Sequence, residues 1–455
     1  MAWHPHRSML LMRGRALANR VSESLLIIPA FMVLGAIALV LTLSRVDEVL
    51  DSETLPRFLR LSPEASIQLL STIAGATITT VGVVFSLIVV SMQLASGQFS
   101  PRVLHTFFRD RLGKVVVGLL TAVFTYCVLA LKALPEDLGA NGAAVPHLTV
   151  NVAVFLTLMS VLSLVLYLHR IARRQYVGGL IATITEETLG RVEELHQAGR
   201  GRPAREPPDV SALGPPLVVS ARDNGWVQQV SVTGLLSAVP PGSVLRLETR
   251  VGAFLARGIP LATIWPRPEQ EDTVARTIQA AVVVGEWRTT HQDVDFGLRQ
   301  LSDVGLRSLS AAVNDPTTAI EVVLRLASVL RPLLLTELPP QVHVAENGST
   351  LLRPWDLDHA EYVRHTFDQF RLYAAPHPQV AIALVRSLRM LWEAVEGADR
   401  PEAQRELERQ LALTLQGCER AGLLPADLEA VREAASHVQD PMREAAAGPV
   451  IPPVH

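Results

Sequence analysis

Residues 67–101 read IQLLSTIAGATITTVGVVFSLIVVSMQLASGQFSP, and this stretch sets the class of the protein. No residue in it carries a charge, and its apolar run is longer than the roughly 20 residues an α-helix needs to cross a bilayer. At about 1.5 Å per residue it overshoots a hydrocarbon core about 30 Å thick, so the helix must tilt, kink or protrude. Ser71, Gly75, Thr79, Gly82, Ser86, Gln93 and Gly97 recur at helical spacing along one flank. Small and hydroxyl-bearing side chains inside a membrane suit close helix packing or a wetted pathway, and packing seams are the commoner case.

Three further apolar runs accompany it, at residues 24–43, 115–134 and 148–168, which makes four spans. Arginine precedes the first run, but the run is as long as a span and no small-x-small cleavage pattern follows, so a retained helix is expected rather than a signal peptide. Arg7, Arg13, Arg15, Arg20, Arg102, Arg109, Arg111, Lys114, Arg170, Arg173 and Arg174 flank one side, and Arg45, Arg57, Arg60 and Lys132 the other. Eleven against four predicts that both termini are cytoplasmic. No Asp, Glu or Arg lies inside the spans, which disfavours a carboxylate-relay pump.

The rest of the 455 residues is too long and too polar to belong to the membrane part. Positive mean hydropathy (+0.28) with only 5% aromatic residues fits a membrane portion joined to a water-exposed one. A net charge of −3 with dispersed basic residues argues against nucleic acid as a partner. Cys127 and Cys418 lie far apart, supporting neither a disulfide framework nor a thiolate metal site.

A helical pattern runs on from residue 169 to 197, and a Gly-, Pro- and Arg-rich stretch at 198–216 reads as a linker. Short β-type runs broken by turn residues fill 217–265. The spacing of Gly252, Leu255, Gly258 and Leu261 looks like the hairpin of biotinyl or lipoyl carriers, but no lysine follows Lys132, which excludes a swinging arm. From Pro268 the pattern is helical to about residue 439, with Asp315 and Pro316 placed to start one helix. The fold expected is a mainly α membrane protein, four transmembrane helices followed by a cytosolic α+β region comprising a small β-barrel or sandwich and then a helical bundle. Its parts are a cytoplasmic segment (1–20), the transmembrane domain (21–172), a helical extension and linker (173–216), the β domain (217–268), the helical domain (269–440) and a disordered tail (441–455).

Asp295, Arg299, Asp303 and Arg307 alternate in sign every fourth residue, a ladder that can brace one helix or, if buried between subunits, set their register. His291, Asp293 and Asp295 form one polar group, and Asp358, Glu361 and His365 another; neither matches a metal signature, and solvated helix polarity explains both. A P-loop lysine, a dinucleotide fingerprint, a nucleophile elbow and a zinc helix are all missing from the sequence, which weighs against an enzyme and implies no cofactor.

Residues 75–104, GATITTVGVVFSLIVVSMQLASGQFSPRVL, and 296–321, FGLRQLSDVGLRSLSAAVNDPTTAIE, together with FDQFRLYAAPHPQVA at 367–381, resemble a bacterial family of predicted membrane proteins catalogued as domain of unknown function 2254. The second stretch carries Asn314 and Asp315 next to the charge ladder. The resemblance implies an inner-membrane protein with several spans and a cytosolic C-terminal part, and brings no catalytic residues with it. The functional expectation is a homo-oligomer in which Ser71, Gly75, Thr79, Gly82, Ser86 and Gln93 line a conduit for ions or small solutes. The alternative is a membrane-anchored module that binds a ligand or partner without transport.

Overall fold

The computed structural model describes residues 26–49, 56, 61–98, 111–133, 146–174, 177–200 and 206–436. The expected N-terminal segment, the disordered tail and the flanking Arg102 and Arg109 lie outside these residues. The chain forms two compact units, Gly14–Tyr176 and Val177 onward.

The first unit holds α1 (Ile27–Val49), α2 (Pro63–Gln98), α3 (Arg111–Lys132) and α4 (His147–Arg174). Each contains a segment long and apolar enough to cross a membrane. Helix α3 is the hub. Its Val116, Leu120, Val123, Tyr126, Cys127 and Ala130 recur at three- and four-residue spacing and are buried. Val123, Tyr126, Cys127 and Ala130 meet Ala36 and Val40 of α1, Leu70, Ile73 and Ala74 of α2, and Val150 and Ala153 of α4, while Val116 and Leu120 meet Val84 of α2 and Tyr167 of α4. Gly118 lets α1 approach closely, since a Cβ there would lie 2.7 Å from Met32 Sδ and 3.0 Å from Pro29 Cα. Helix α4 turns Phe155, Leu158, Leu162, Val165 and Leu166 outward, a face suited to acyl chains.

One carboxylate joins the ends of two of these helices. Asp47, in the last turn of α1, accepts from the backbone N–H groups of Leu148 (3.0 Å) and Thr149 (2.9 Å) and from Thr149 Oγ1 (2.6 Å). These are donors of the first turn of α4, which has no such partner within its own helix. Tyr126 Oη of α3 donates to Thr149 O at 3.0 Å, so three helices converge there. The sequence places Asp47 in an acidic connecting loop; α1 instead runs on through it and buries it.

The second unit opens with α5 (Val177–Gly199) and a 3-10 turn at Ser211–Leu213. It continues with β1 (Leu217–Ser220), β2 (Gly225–Val230), α6 (Val232–Ala238), β3 (Val244–Leu247), β4 (Phe254–Leu255), β5 (Pro260–Trp265), α7 (Glu271–Ala281) and β6 (Val282–Gly285). Then come α8 (Val294–Ser308), α9 (Pro316–Leu335), β7 (Val342–Val344), β8 (Thr350–Leu352), α10 (His359–Ala374), α11 (Pro378–Glu396), α12 (Pro401–Arg420) and α13 (Pro425–Ser436).

The strands form a five-stranded sheet in the order β1-β5-β3-β8-β7 and a three-stranded sheet β4-β2-β6. Only β3 and β8 pair in parallel. Both sheets, with α6 and α7, share one core containing Val227, Leu235, Leu245, Ile264, Ile278 and Leu351. The segment read as a self-contained barrel or sandwich thus carries two helices in its core and borrows β7 and β8 from a region read as wholly helical. The helix expected over 269–284 likewise stops at Ala281, because the β-branched run Val282-Val283-Val284 pairs with β2.

Helix α9 is central to the second unit; its Val322, Val323, Leu326, Leu330 and Leu333 are fully buried. Asp315 caps it, accepting from Thr318 N at 3.1 Å, with Pro316 in its first turn as the sequence indicates. Asn314 before it adopts φ +47, a left-handed turn residue.

Asp47→Ala removes an acceptor shared by three donors at a buried helix start and should cost about 1–3 kcal/mol. The expected outcome is a lower thermal midpoint for the purified chain in detergent, with Asp47→Asn falling between the two.

Candidate functional site

The stripe of α2 comes first, because the conduit expectation rests on it. Ser71, Gly75, Thr79, Gly82, Ser86 and Gln93 are exposed on the protomer, while Leu70, Ile73, Ala74, Thr77 and Val84 face its interior. At 100° per residue the two sets lie on opposite sides of the helix. Among the described residues the stripe is therefore no packing seam. Thr79 Oγ1 on the stripe donates to Gly75 O within its own helix, and Thr80 Oγ1 beside it to Ala76 O, both at 2.8 Å.

In the second unit a dense charge cluster forms at the start of α8. Asp293 is its N-cap, accepting from Phe296 N at 2.9 Å, and Asp295 lies in its first turn. Acidic groups favour this end because its backbone N–H groups are unpaired. Arg288, on the loop between β6 and α8, reaches both. Its Nε lies 2.7 Å from Asp293 Oδ2, and its Nη2 lies 3.0 Å from Asp293 Oδ1 and 2.6 Å from Asp295 Oδ2. The guanidinium also covers the Phe296 ring at 5.4 Å. Asp295 Oδ1 lies 3.0 Å from Nδ1 of His365 on α10.

The two carboxyls respond in opposite directions. Burial pushes Asp293 up, even against the Arg288 pair. For Asp295 burial is again the largest influence, but the His365 hydrogen bond and Arg288 together outweigh it and hold the carboxyl well below its usual range. Gly252 makes room for the cluster: its φ is +81, and a Cβ there would lie 2.3 Å from Asp293 Oδ2.

Next to the cluster is a cavity of about 300 Å³. Helix α5, the residues after β3, the start of α8, the segment following β8 and Tyr362 of α10 enclose it. Arg353 pairs with Asp356 at 2.9 Å, while its Nε is buried with no hydrogen-bond partner. Burial pushes the Asp356 carboxyl up, with Arg353 opposing. Tyr362 is 8% exposed, and no hydrogen bond to its hydroxyl is found among the described residues. Burial first, then the fields of Asp293, Asp295 and Asp356, push its phenol above its ordinary value, so it remains a neutral donor.

The expected ladder on α8 is rearranged. Arg299 and Asp303 pair at 3.1 Å, Asp295 turns away to Arg288 and His365, and Arg307 sits in the last turn. Nearly the whole helix is buried inside the unit, which corrects the reading of a solvated face. Asn314 and Asp315 serve the turn into α9. Of the two polar groups weighed for a metal, Asp358 and Glu361 form a capping box on α10. Asp295 and His365, from different groups, are brought together. Arg250, Arg288, Arg353, Asp356 and Tyr362 come from loops and a helix far apart in sequence, and no spacing announces them.

Four helices long and apolar enough to cross a membrane, followed by an α+β unit with a charged cavity, define the class of a predicted membrane protein. The chain belongs to the family described as predicted membrane protein (DUF2254), whose model matches residues 22–390. It is 32% identical over 357 residues to an uncharacterised protein of Mycobacterium bovis and equally to one of Mycobacterium tuberculosis, covering 76% of this chain and 67% of each relative. No solved structure matches it.

Arg288→Met leaves two buried carboxylates facing each other and should destabilise the chain by about 3–5 kcal/mol, read from denaturant unfolding. Because Asp295 titrates lower in the fold than its unfolded value of about 3.9, its stabilising share is complete above that pH and is lost as pH falls toward the folded value. Asp295→Asn should flatten the acid side of the stability–pH curve, measured by thermal midpoints from pH 3 upward.

Proposed function

We propose that this family member is a membrane-anchored binding protein of a bacterial inner membrane, with both chain termini cytoplasmic, whose second unit holds a small polar molecule in the cavity beside Tyr362. The observation that carries this reading is Tyr362, a buried residue lining the cavity whose hydroxyl has no hydrogen-bond partner among the described residues and so is left for a bound acceptor. The absence of Asp, Glu and Arg within the four apolar runs fits an anchor.

A second reading keeps the conduit. The outward stripe at Ser71, Gly75, Thr79, Gly82, Ser86 and Gln93 supports it, because further copies around a symmetry axis would cover a face that one protomer leaves open. The second unit would then assemble or gate the oligomer.

Ala198 lines the cavity from the exposed side of α5, so Ala198→Trp obstructs it without entering the core. In a thermal-shift panel of small polar compounds on the full chain, at least one should raise the midpoint, and Ala198→Trp should abolish that shift. A silent panel, or a shift indifferent to Ala198→Trp, refutes the binding module. The conduit predicts instead solute or ion flux in proteoliposomes that Thr79→Leu and Ser86→Leu reduce several-fold.

A further inference from the structure

We propose that the cavity takes an oxyanion, a carboxylate or phosphate group of a small molecule, held by Arg250 and the Tyr362 hydroxyl. The inference rests on the cavity being a ligand site and adds the chemistry of what it takes.

The free groups facing the space are donors. Arg250 gives Nη1 to the carbonyl of its neighbour Val251 at 3.1 Å and makes no ion pair among the described residues. The Tyr362 hydroxyl is the second. Arg353 gives Nη2 to Asp356, and its Nε is sealed from the cavity. The neighbouring acceptors are already engaged: Asp293 and Asp295 take Arg288, Phe296 N and His365, and Asp356 takes Arg353.

Arg353 is paired with Asp356, and Arg191 at the rim with Glu194 at 2.6 Å. Arg250 lines the cavity half-buried and makes no ion pair among the described residues. A guanidinium so placed pairs with the flat or tetrahedral oxygens of carboxylate and phosphate. A volume of about 300 Å³ admits such a group with a few further atoms.

The test is titration of the full chain in detergent with inorganic phosphate and with succinate, against chloride at matched ionic strength and glycerol as a neutral probe. Phosphate or succinate should bind and chloride should not; which of the two binds tells phosphate from carboxylate. Tyr362→Phe, which removes a hydroxyl that pairs with nothing in the fold, should keep the native midpoint without ligand. It and Arg250→Gln should each weaken binding about tenfold or more. Phosphate and succinate acting no better than chloride, or binding unchanged in both variants, overturns the proposal. If glycerol binds where the anions do not, the ligand site survives and its anionic character fails; if no probe and no panel compound binds, both fail.

Discussion

One guanidinium organises the centre of the second unit. Arg288 stands between Asp293 and Asp295 with three contacts of 2.6–3.0 Å. Two carboxylates this close and this buried repel strongly in a low-dielectric interior, and the start of α8 tolerates them because a cation lies between them. The same arginine ties the loop after β6 to α8, so the sheet region and the helices meet at a fixed angle. Gly252 follows from that constraint, since any side chain there would displace the pair. His365 extends the network to α10, and the cavity wall is what remains where these elements fail to close.

The membrane unit solves its polar problem differently. Thr79 and Thr80 of α2 each return a hydroxyl to a carbonyl one turn back, as do Thr121 and Thr125 of α3. In hydrocarbon, a donor satisfied within its own helix needs neither water nor a neighbour. A serine- and threonine-rich flank is thus compatible with lipid, with another copy, or with a pathway. Asp47 is the exception: a charged group at a span end, spent on the unpaired N–H groups of α4.

How far the site was legible follows from how its residues are connected. Asp293, Asp295 and His365 stood out as polar residues near helix starts, and Asp315-Pro316 marked α9 because capping is a local event. Arg250, Arg353, Asp356 and Tyr362 gave no local signal. Their significance lies in being adjacent to one another around one cavity, and that property is not written along the chain. The alternating charges of α8 show the converse. Their spacing was real, but spacing alone does not say whether a face meets water or the remainder of the fold.

The sequence by itself determined that this is a membrane protein with four apolar helices, placed α9 and the helices after it closely, and marked the β-rich stretch, because bilayer length, helical period and capping are properties of consecutive residues. Only the tertiary structure decided that the α2 stripe faces outward, that β7 and β8 complete a sheet begun a hundred residues earlier, and that Arg250 and Tyr362 share one cavity. The physical reason is that periodicity gives an element its faces, whereas the neighbour each face meets is chosen by packing among segments distant in the chain.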